Sequence, residues 1–240
     1  GPVRFRWVRG HVGNHFNARA DQLAGLAAQD WAAGRGDLDG TLVDSTAVVE
    51  HLWLEWAEPH GLDRATVLRT VHGRQGWQSM AILLPERDQE INLIENQRML
   101  ARESAETDGV VAIRGADDLL RALEGLPHAI VTSADVALMT ARMGAAGLAI
   151  PELAVTAERV TNSKPDPEGF LLAASLLGIA PADCVVFEDS GAGIRAGLDA
   201  GMTVIGVGPH APSFGPAHHV DDLTQIEIVP VADGFEVRIG

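Results

Sequence analysis

The chain is 240 residues long, 46% hydrophobic and 21% charged, which is ordinary globular usage and excludes wholesale disorder. It carries 18 Lys and Arg against 33 Asp and Glu, a net charge of −15; a field of that sign repels a phosphate backbone, disfavours nucleic-acid binding by the whole chain and suits a site that collects a divalent cation. A single cysteine, Cys184, excludes an intrachain disulfide and fits a reducing compartment, so a cytoplasmic protein is expected.

In chain order, residues 1–36 form the first compositional block. They hold much of the basic charge: Arg4, Arg6, Arg9, Arg19 and Arg35. The start, Gly1-Pro2-Val3-Arg4, lacks the apolar core of a signal peptide. Residues 3–8 alternate as a strand, and residues 17–31 can form a helix. Next comes Asp37-Leu38-Asp39-Gly40-Thr41-Leu42-Val43-Asp44-Ser45. Residues 45–108 read as a helical insertion between the first and second strands. Ser45 can cap a helix whose Val48, Val49, Leu52, Trp53 and Trp56 share one face, with further helical patterns at 63–71, 77–84 and 88–106. Trp53, Trp56 and Trp77 read as core of this insertion rather than as stacking platforms.

From about residue 110 the pattern changes to short apolar runs alternating with helices. The runs are 128–132, 153–156, 184–187 and 202–207; the helices are 116–123, 135–145, 166–177 and 193–200. Such alternation implies an α/β fold with a parallel sheet covered by helices on both faces. Residues 226–239 alternate around Asp233-Gly234 and read as a β-hairpin. No run of about 18 uncharged apolar residues occurs, so no membrane span is expected.

Ligands of open parallel sheets lie at the carboxyl ends of the strands, so the polar residues just after each apolar run matter most. Asp37 and Asp39 repel one another at one strand end, which calls for a cation, and Gly40 lets backbone approach a ligand. Taken alone, this stretch also reads as an acidic turn. Thr132-Ser133, Lys164-Pro165-Asp166-Pro167 and Glu188-Asp189-Ser190-Gly191 end the following runs, which puts all four clusters on one rim. Gly191-Ala192-Gly193 and Gly197 imitate a dinucleotide-binding loop, but Glu188 and Asp189 stand where a pyrophosphate would approach. Cys184, on an apolar run, reads as a packing residue, and His218-His219 as a loop pair.

With these four motifs in order, residues 37 to about 222 resemble a haloacid dehalogenase-superfamily phosphohydrolase, in particular the sugar phosphatases and β-phosphoglucomutase-like members. The densest likeness runs from Val155-Thr156-Ala157-Glu158-Arg159-Val160 through Lys164-Pro165-Asp166-Pro167 to Val186-Phe187-Glu188-Asp189-Ser190. The resemblance implies a Rossmann-like core (37–47 and 109–240, including the C-terminal hairpin) and a helical cap (48–108). It implies Asp37 as nucleophile, Asp39 as the acid and then the base, Thr132 as a phosphoryl donor backed by Ser133, and Lys164 as counter-charge. Asp37, Asp39, Glu188 and Asp189 would hold Mg2+. His72-Gly73-Arg74 resembles a cap loop that reaches the substrate; its plain alternative is a helix end with an exposed arginine. The activity so implied is hydrolysis of small phosphomonoesters by a monomer whose partner is a phosphorylated metabolite. A phosphoglucomutase-type isomerase shares every core motif and stays open, as does a weakly active protein that holds nucleic acid through its basic N-terminal segment.

The first block has its own resemblance. Residues 3–31, including His11, His15, Asn17, Arg19 and Asp21, look like the last strand and helix of a type I ribonuclease H. Asp21 falls on that family's last carboxylate, and Asn14 stands at its mobile histidine. The strands bearing the other three carboxylates have no counterpart in this chain, and two-metal cleavage needs that cluster, so nuclease activity is not expected. This segment reads as a remnant, a fusion or a misjoined gene.

The junction departs from the phosphohydrolase pattern, which has a buried apolar strand before the first aspartate where this chain has Trp31-Ala32-Ala33-Gly34-Arg35-Gly36. Each glycine costs on the order of 1 kcal/mol in a strand, and a buried Arg35 must find a carboxylate or snorkel out. The combined substitution Gly34→Val, Arg35→Leu and Gly36→Phe should therefore raise both the melting temperature and the phosphatase rate. A substituted protein that is no more stable would exclude an inner strand at this position.

Overall fold

The computed structural model describes residues 4–6, 38, 40–71, 76–231 and 234–240. Residues 31–36 and 72–75, on which the junction and the cap-loop expectations rest, lie outside the described residues, as do Asp37 and Asp39. A short strand, β1 (Arg4–Arg6), falls within the predicted 3–8 run. Strand β2 (Val43–Asp44) leads into four helices: α1 (Thr46–Ala57), α2 (Arg64–Thr70), α3 (Gly76–Leu83) and α4 (Gln89–Ala105). Strand β3 (Val111–Ala112) leads out of them and pairs antiparallel with β2, so the helical unit hangs from a two-stranded ribbon.

The remainder alternates: α5 (Ala116–Ala122), β4 (Ile130–Val131), α6 (Val136–Ala145), β5 (Ala154–Val155), α7 (Glu168–Leu177), β6 (Val185–Glu188), α8 (Gly191–Asp199) and β7 (Thr203–Val207). Strands β4 and β5 are parallel, as are β6, β7 and β8 (His218–Val220). The predicted α/β architecture with parallel strands is present. Among the described residues no ladder joins β4 to β6; an apolar cavity of about 190 Å³ lies between them, lined by Leu38, Ile130, Val131, Phe170 and Phe187 among others. The chain closes with the hairpin β9 (Ile226–Val231) and β10 (Gly234–Ile239), whose outer edge takes β1 in antiparallel register, Arg6 opposite Glu236.

Two local expectations are corrected. His218 and His219 belong to a strand: β8 runs parallel to β7 with His219 opposite Gly206, and the His219 ring nitrogen Nε2 lies 2.9 Å from the Gly208 carbonyl. Ser45 precedes α1 but its side chain makes no capping bond; the Asp44 carboxylate takes that role, accepting the Thr46 N–H at 3.0 Å. Elsewhere the caps follow the sequence. Asp63 accepts from Thr66, Asp88 from Glu90, Asp135 from Leu138 and Ser190 from Gly193, each satisfying an N–H that the first helical turn leaves open.

Burial follows the apolar periodicity. Val204, Ile205 and Val207 of β7 are buried; Val204 clusters with Phe170, Ala174 and Ile194 of α7 and α8, while Ile205 and Val207 belong to the other core cluster, with Leu38 and Val43. In the helical unit Trp53 is buried and meets Trp56 edge to face, centroids 5.3 Å apart, while the Trp56 indole N–H donates to Glu95 at 2.7 Å. Both tryptophans thus belong to that unit's core, with the geometry aromatic pairs prefer.

One buried ion pair ties the helical unit to the sheet-bearing part. Arg142 of α6 and Glu103 of α4 meet at 2.9 Å with side chains only 6% and 9% exposed. Breaking such a pair from one side strands a buried charge, at a cost of about 3–5 kcal/mol. Arg142→Ala should lower stability by that order in denaturant unfolding. Glu103→Leu combined with Arg142→Met should recover most of the loss, because apolar groups of similar volume leave no charge uncompensated.

Candidate active site

The carboxyl ends of β4 and β6 converge on one ion pair. Strand β6 ends at Glu188, and its alternation turns that carboxylate inward among apolar residues. There Glu188 Oε1 accepts from Lys164 Nζ at 2.6 Å, and the two side chains are 2% and 8% exposed. Glu188 Oε2 accepts the Ser190 N–H at 3.0 Å and the Ser190 hydroxyl at 2.9 Å. Lys164, reached by the chain after β5, also donates to the Val131 carbonyl at 3.2 Å, which draws the ammonium under the end of β4.

Thr132 follows Val131 directly. Its N–H extends the β4–β5 ladder to the Val155 carbonyl at 2.8 Å, and its buried hydroxyl oxygen accepts the Ala134 N–H at 3.0 Å. That accepted bond orients Oγ1 and leaves its proton to donate elsewhere. Ser133 occupies the same turn, ahead of the Asp135 cap of α6.

The turn around Gly40 is bound to the same rim from 148 residues away in sequence. Thr41 donates its hydroxyl to Asp189 Oδ1 at 2.8 Å. Gly40 has φ +95°, a left-handed backbone, and a Cβ built there would collide with Asp189 Oδ2. Leu38 is buried, and its carbonyl accepts the N–H groups of Leu42 and Val43 at 3.0 and 2.9 Å, closing the turn. Gly193 has a related role: a Cβ there would collide with the Glu188 carboxylate. Of the glycines that imitate a dinucleotide loop, Gly193 thus makes room for an acidic side chain, whereas Gly191 lies against Phe214 and Gly197 against Val204.

Of the residues singled out in the sequence, Thr132, Ser133, Lys164, Glu188 and Asp189 occupy this rim, and Gly40 joins them. Asp37, Asp39, His72, Gly73 and Arg74 lie outside the described residues, though Leu38 and Gly40 flank Asp39 on both sides. Thr41 and Ser190 carry contacts that sequence reasoning did not assign. The signal for Ser190 was legible, a hydroxyl between a strand end and a helix start. For Thr41 no local signal exists, because its partner is remote. Cys184 fits a packing residue: burial, helped by Asp183, pushes its thiol pKa up and away from nucleophilic use.

Among the described residues no cluster of three or more His, Cys, Asp or Glu is arranged to hold a metal. The donors present, Asp189 and Glu188, are hard oxygens, the type that magnesium-like cations prefer. The Asp189 carboxylate lies directly against the Gly40 backbone, in the space a Cβ would fill, so an oxygen donor sits at this turn only because the residue is glycine. Both Glu188 oxygens already accept hydrogen bonds, so Asp189 is the better direct ligand of the two.

A buried lysine–carboxylate pair, an oriented hydroxyl and a glycine turn, all at the carboxyl rim of parallel strands, define a hydrolase of the α/β class. Residues 37–201 match the haloacid dehalogenase-like hydrolases, and the chain belongs to that family. It is 45% identical over 189 residues to hexitol phosphatase A of Escherichia coli (strain K12), covering 78% of this chain and 87% of that protein. It is 31% identical over 221 residues to 2-deoxyglucose-6-phosphate phosphatase 2 of Saccharomyces cerevisiae, covering 80% and 88%. The crystal structure of a haloacid dehalogenase family hydrolase from Deinococcus radiodurans, with bound phosphate and sodium, superposes with a TM-score of 0.60 at 30% identity, covering 78% of this chain and 90% of that one.

On the expectation that Asp189 ligates Mg2+, the Thr41–Asp189 bond would support a metal ligand, and partners of that kind typically change metal affinity by about 10–100-fold. Thr41→Val, nearly isosteric, should raise the Mg2+ concentration giving half-maximal activity by at least about tenfold, with little change in the maximal rate. An unchanged Mg2+ requirement would show that Thr41 only packs the turn.

Proposed function

We propose that this chain hydrolyses small phosphomonoesters, with sugar or polyol phosphates as its substrates. The observation that carries this reading is the convergence of Lys164, Glu188, Asp189 and Thr132 on one rim, with Gly40 and Thr41 docked against Asp189. The names of the phosphatases to which the chain is 45% and 31% identical support the substrate class.

In this reading Asp37 attacks phosphorus through a carboxylate oxygen. The P–O bond to the leaving group breaks, and the phosphoryl group rests on Asp37 as an acyl phosphate, which splits one difficult hydrolysis into two steps. Asp39 gives its proton to the departing alcohol oxygen and then takes one from the water that attacks the acyl phosphate, so that inorganic phosphate leaves and both carboxylates return to their starting forms. Thr132 donates its hydroxyl to a non-bridging oxygen, with Ser133 beside it. Lys164 supplies positive charge to the same oxygens, and Glu188 keeps that charge in place at 2.6 Å. Asp189, Glu188, Asp37 and the Asp39 carbonyl would hold Mg2+, which when bound would neutralise charge on the phosphoryl oxygens.

The helices between β2 and β3 serve as a cap in this reading. They exclude water, and their His72-Gly73-Arg74 loop contacts the leaving group, so that the cap selects substrates while the rim performs the transfer. In this reading residues 1–36 are a ribonuclease H-like remnant outside the chemistry, and the pairing of β1 with β10 supports a place for their start on the C-terminal hairpin.

The test is a panel of hexose and hexitol phosphates assayed for released phosphate with and without Mg2+. The expected result is Mg2+-dependent release that Asp37→Asn abolishes while circular dichroism stays unchanged, because an amide of the same shape cannot attack phosphorus. An Asp37→Asn protein keeping more than a few per cent of the parent rate would contradict the assignment, and an isomerised hexose phosphate as sole product would replace hydrolysis by mutase chemistry.

A further inference from the structure

We propose that Phe170 is a positioning residue for phosphoryl transfer: its ring face holds the Lys164 ammonium in register for the transferred phosphoryl group. The proposal rests on the role of Lys164 as counter-charge to the phosphoryl oxygens. Lys164 Nζ lies 4.7 Å from the Phe170 ring centroid, inside the range over which the negative face of an aromatic ring attracts a cation.

Phe170 lies in the first turn of α7 and is buried in a cluster with Ala174, Val186 and Ile194, against which Val131 also packs. Packing fixes the ring, and the ring then presents a fixed surface to the buried Lys164 side chain. Lysine carries its charge on a flexible four-carbon stem, and its compact ammonium is strongly hydrated. Holding it within about half an ångström of a productive position takes support from several sides. Glu188 supports one side at 2.6 Å and the Val131 carbonyl another at 3.2 Å.

The chemistry of a further support matters. Another carboxylate would hold the amine but cancel the charge that the phosphoryl oxygens require. A carbonyl or an ordered water would take up an N–H. An aromatic face attracts the charge, offers no lone pair in competition with a phosphoryl oxygen, and excludes water on its side. In a buried site that attraction is larger than at an exposed one, because no solvent competes for the cation.

The experiment replaces Phe170, in the full chain, with 4-fluoro-, 3,5-difluoro- and 3,4,5-trifluorophenylalanine, which withdraw electron density from the ring face and change its shape little. Phe170→Leu and Lys164→Met are made alongside, and kcat, KM for a hexitol phosphate and Tm are measured. We expect kcat to fall stepwise with fluorination, by about tenfold at three fluorines, with KM and Tm held at the parent values, and Phe170→Leu to fall at least as far. A ring that merely fills space would leave kcat level across the fluorinated series. A level series beside an inactive Lys164→Met protein overturns the role of Phe170 and leaves that of Lys164 standing. A Lys164→Met protein with parent activity overturns both. Should Phe170→Leu fail to fold, the fluorinated series alone decides.

Discussion

The rim of this protein is organised around a lysine and a glutamate buried together. Neither charge could stand alone among the apolar residues that surround it, since an unpaired buried ion costs several kcal/mol. Lys164 and Glu188 solve this for each other at 2.6 Å, and the remaining contacts follow from it. Glu188 spends its second oxygen on Ser190, which in turn caps α8, so the start of that helix, the end of β6 and the ammonium share one hydrogen-bonded unit. Lys164 reaches the Val131 carbonyl, which brings in the end of β4 and, one residue on, Thr132. The pair is neutral as a whole, but it fixes an ammonium at the strand ends and so gives a chain of net charge −15 a local positive tip for a phosphoryl group. The pair is poor evidence of stability in itself, because well-packed apolar groups hold a core as well; its use lies in where it puts the charge.

Two further constraints bring the remaining groups to that tip. The Gly40–Thr41 turn clasps Asp189 through a hydroxyl and through the absence of a side chain. In sequence Asp37 and Asp39 bracket Leu38 just ahead of this turn. The helical unit is attached differently, through the β2–β3 ribbon and through the buried Glu103–Arg142 pair between α4 and α6. Helix α6 begins just after Thr132 and Ser133, so the pair links the position of the helices to the segment that carries those hydroxyls.

Much of this was legible in the sequence, for reasons that can be named. The runs that became β4 to β7 are short, apolar and ended by polar residues, and helical periodicity separates them, so both their existence and their shared rim could be read. The β2–β3 ribbon was not legible, because two residues per strand carry no period. Strand β8 was hidden by its two histidines, since a polar edge strand lacks the apolar alternation that marks a strand. Ser45 looked like a cap by residue type, but Asp44 one position earlier has the reach to accept the Thr46 N–H. At the site, residue types and their order were readable, whereas the Thr41–Asp189 bond and the Phe170–Lys164 contact are products of tertiary folding. Glu188 and Asp189 were read as blocking a dinucleotide beside the glycines that follow; why position 193 is glycine became clear only when the Glu188 carboxylate was found lying against it.

The central claim is that this rim exists to pass a phosphoryl group to a carboxylate and then to water. The most direct measurement mixes the protein with a hexitol phosphate and Mg2+, quenches in acid within the first turnover and maps peptides by mass spectrometry. The expected result is a single acid-stable, base-labile phosphoryl group on the peptide that contains Asp37, gone once turnover is complete. Full phosphate release with no such adduct at any quench time would mean that water attacks the substrate directly, and Asp37 would then not be the group that receives the phosphoryl.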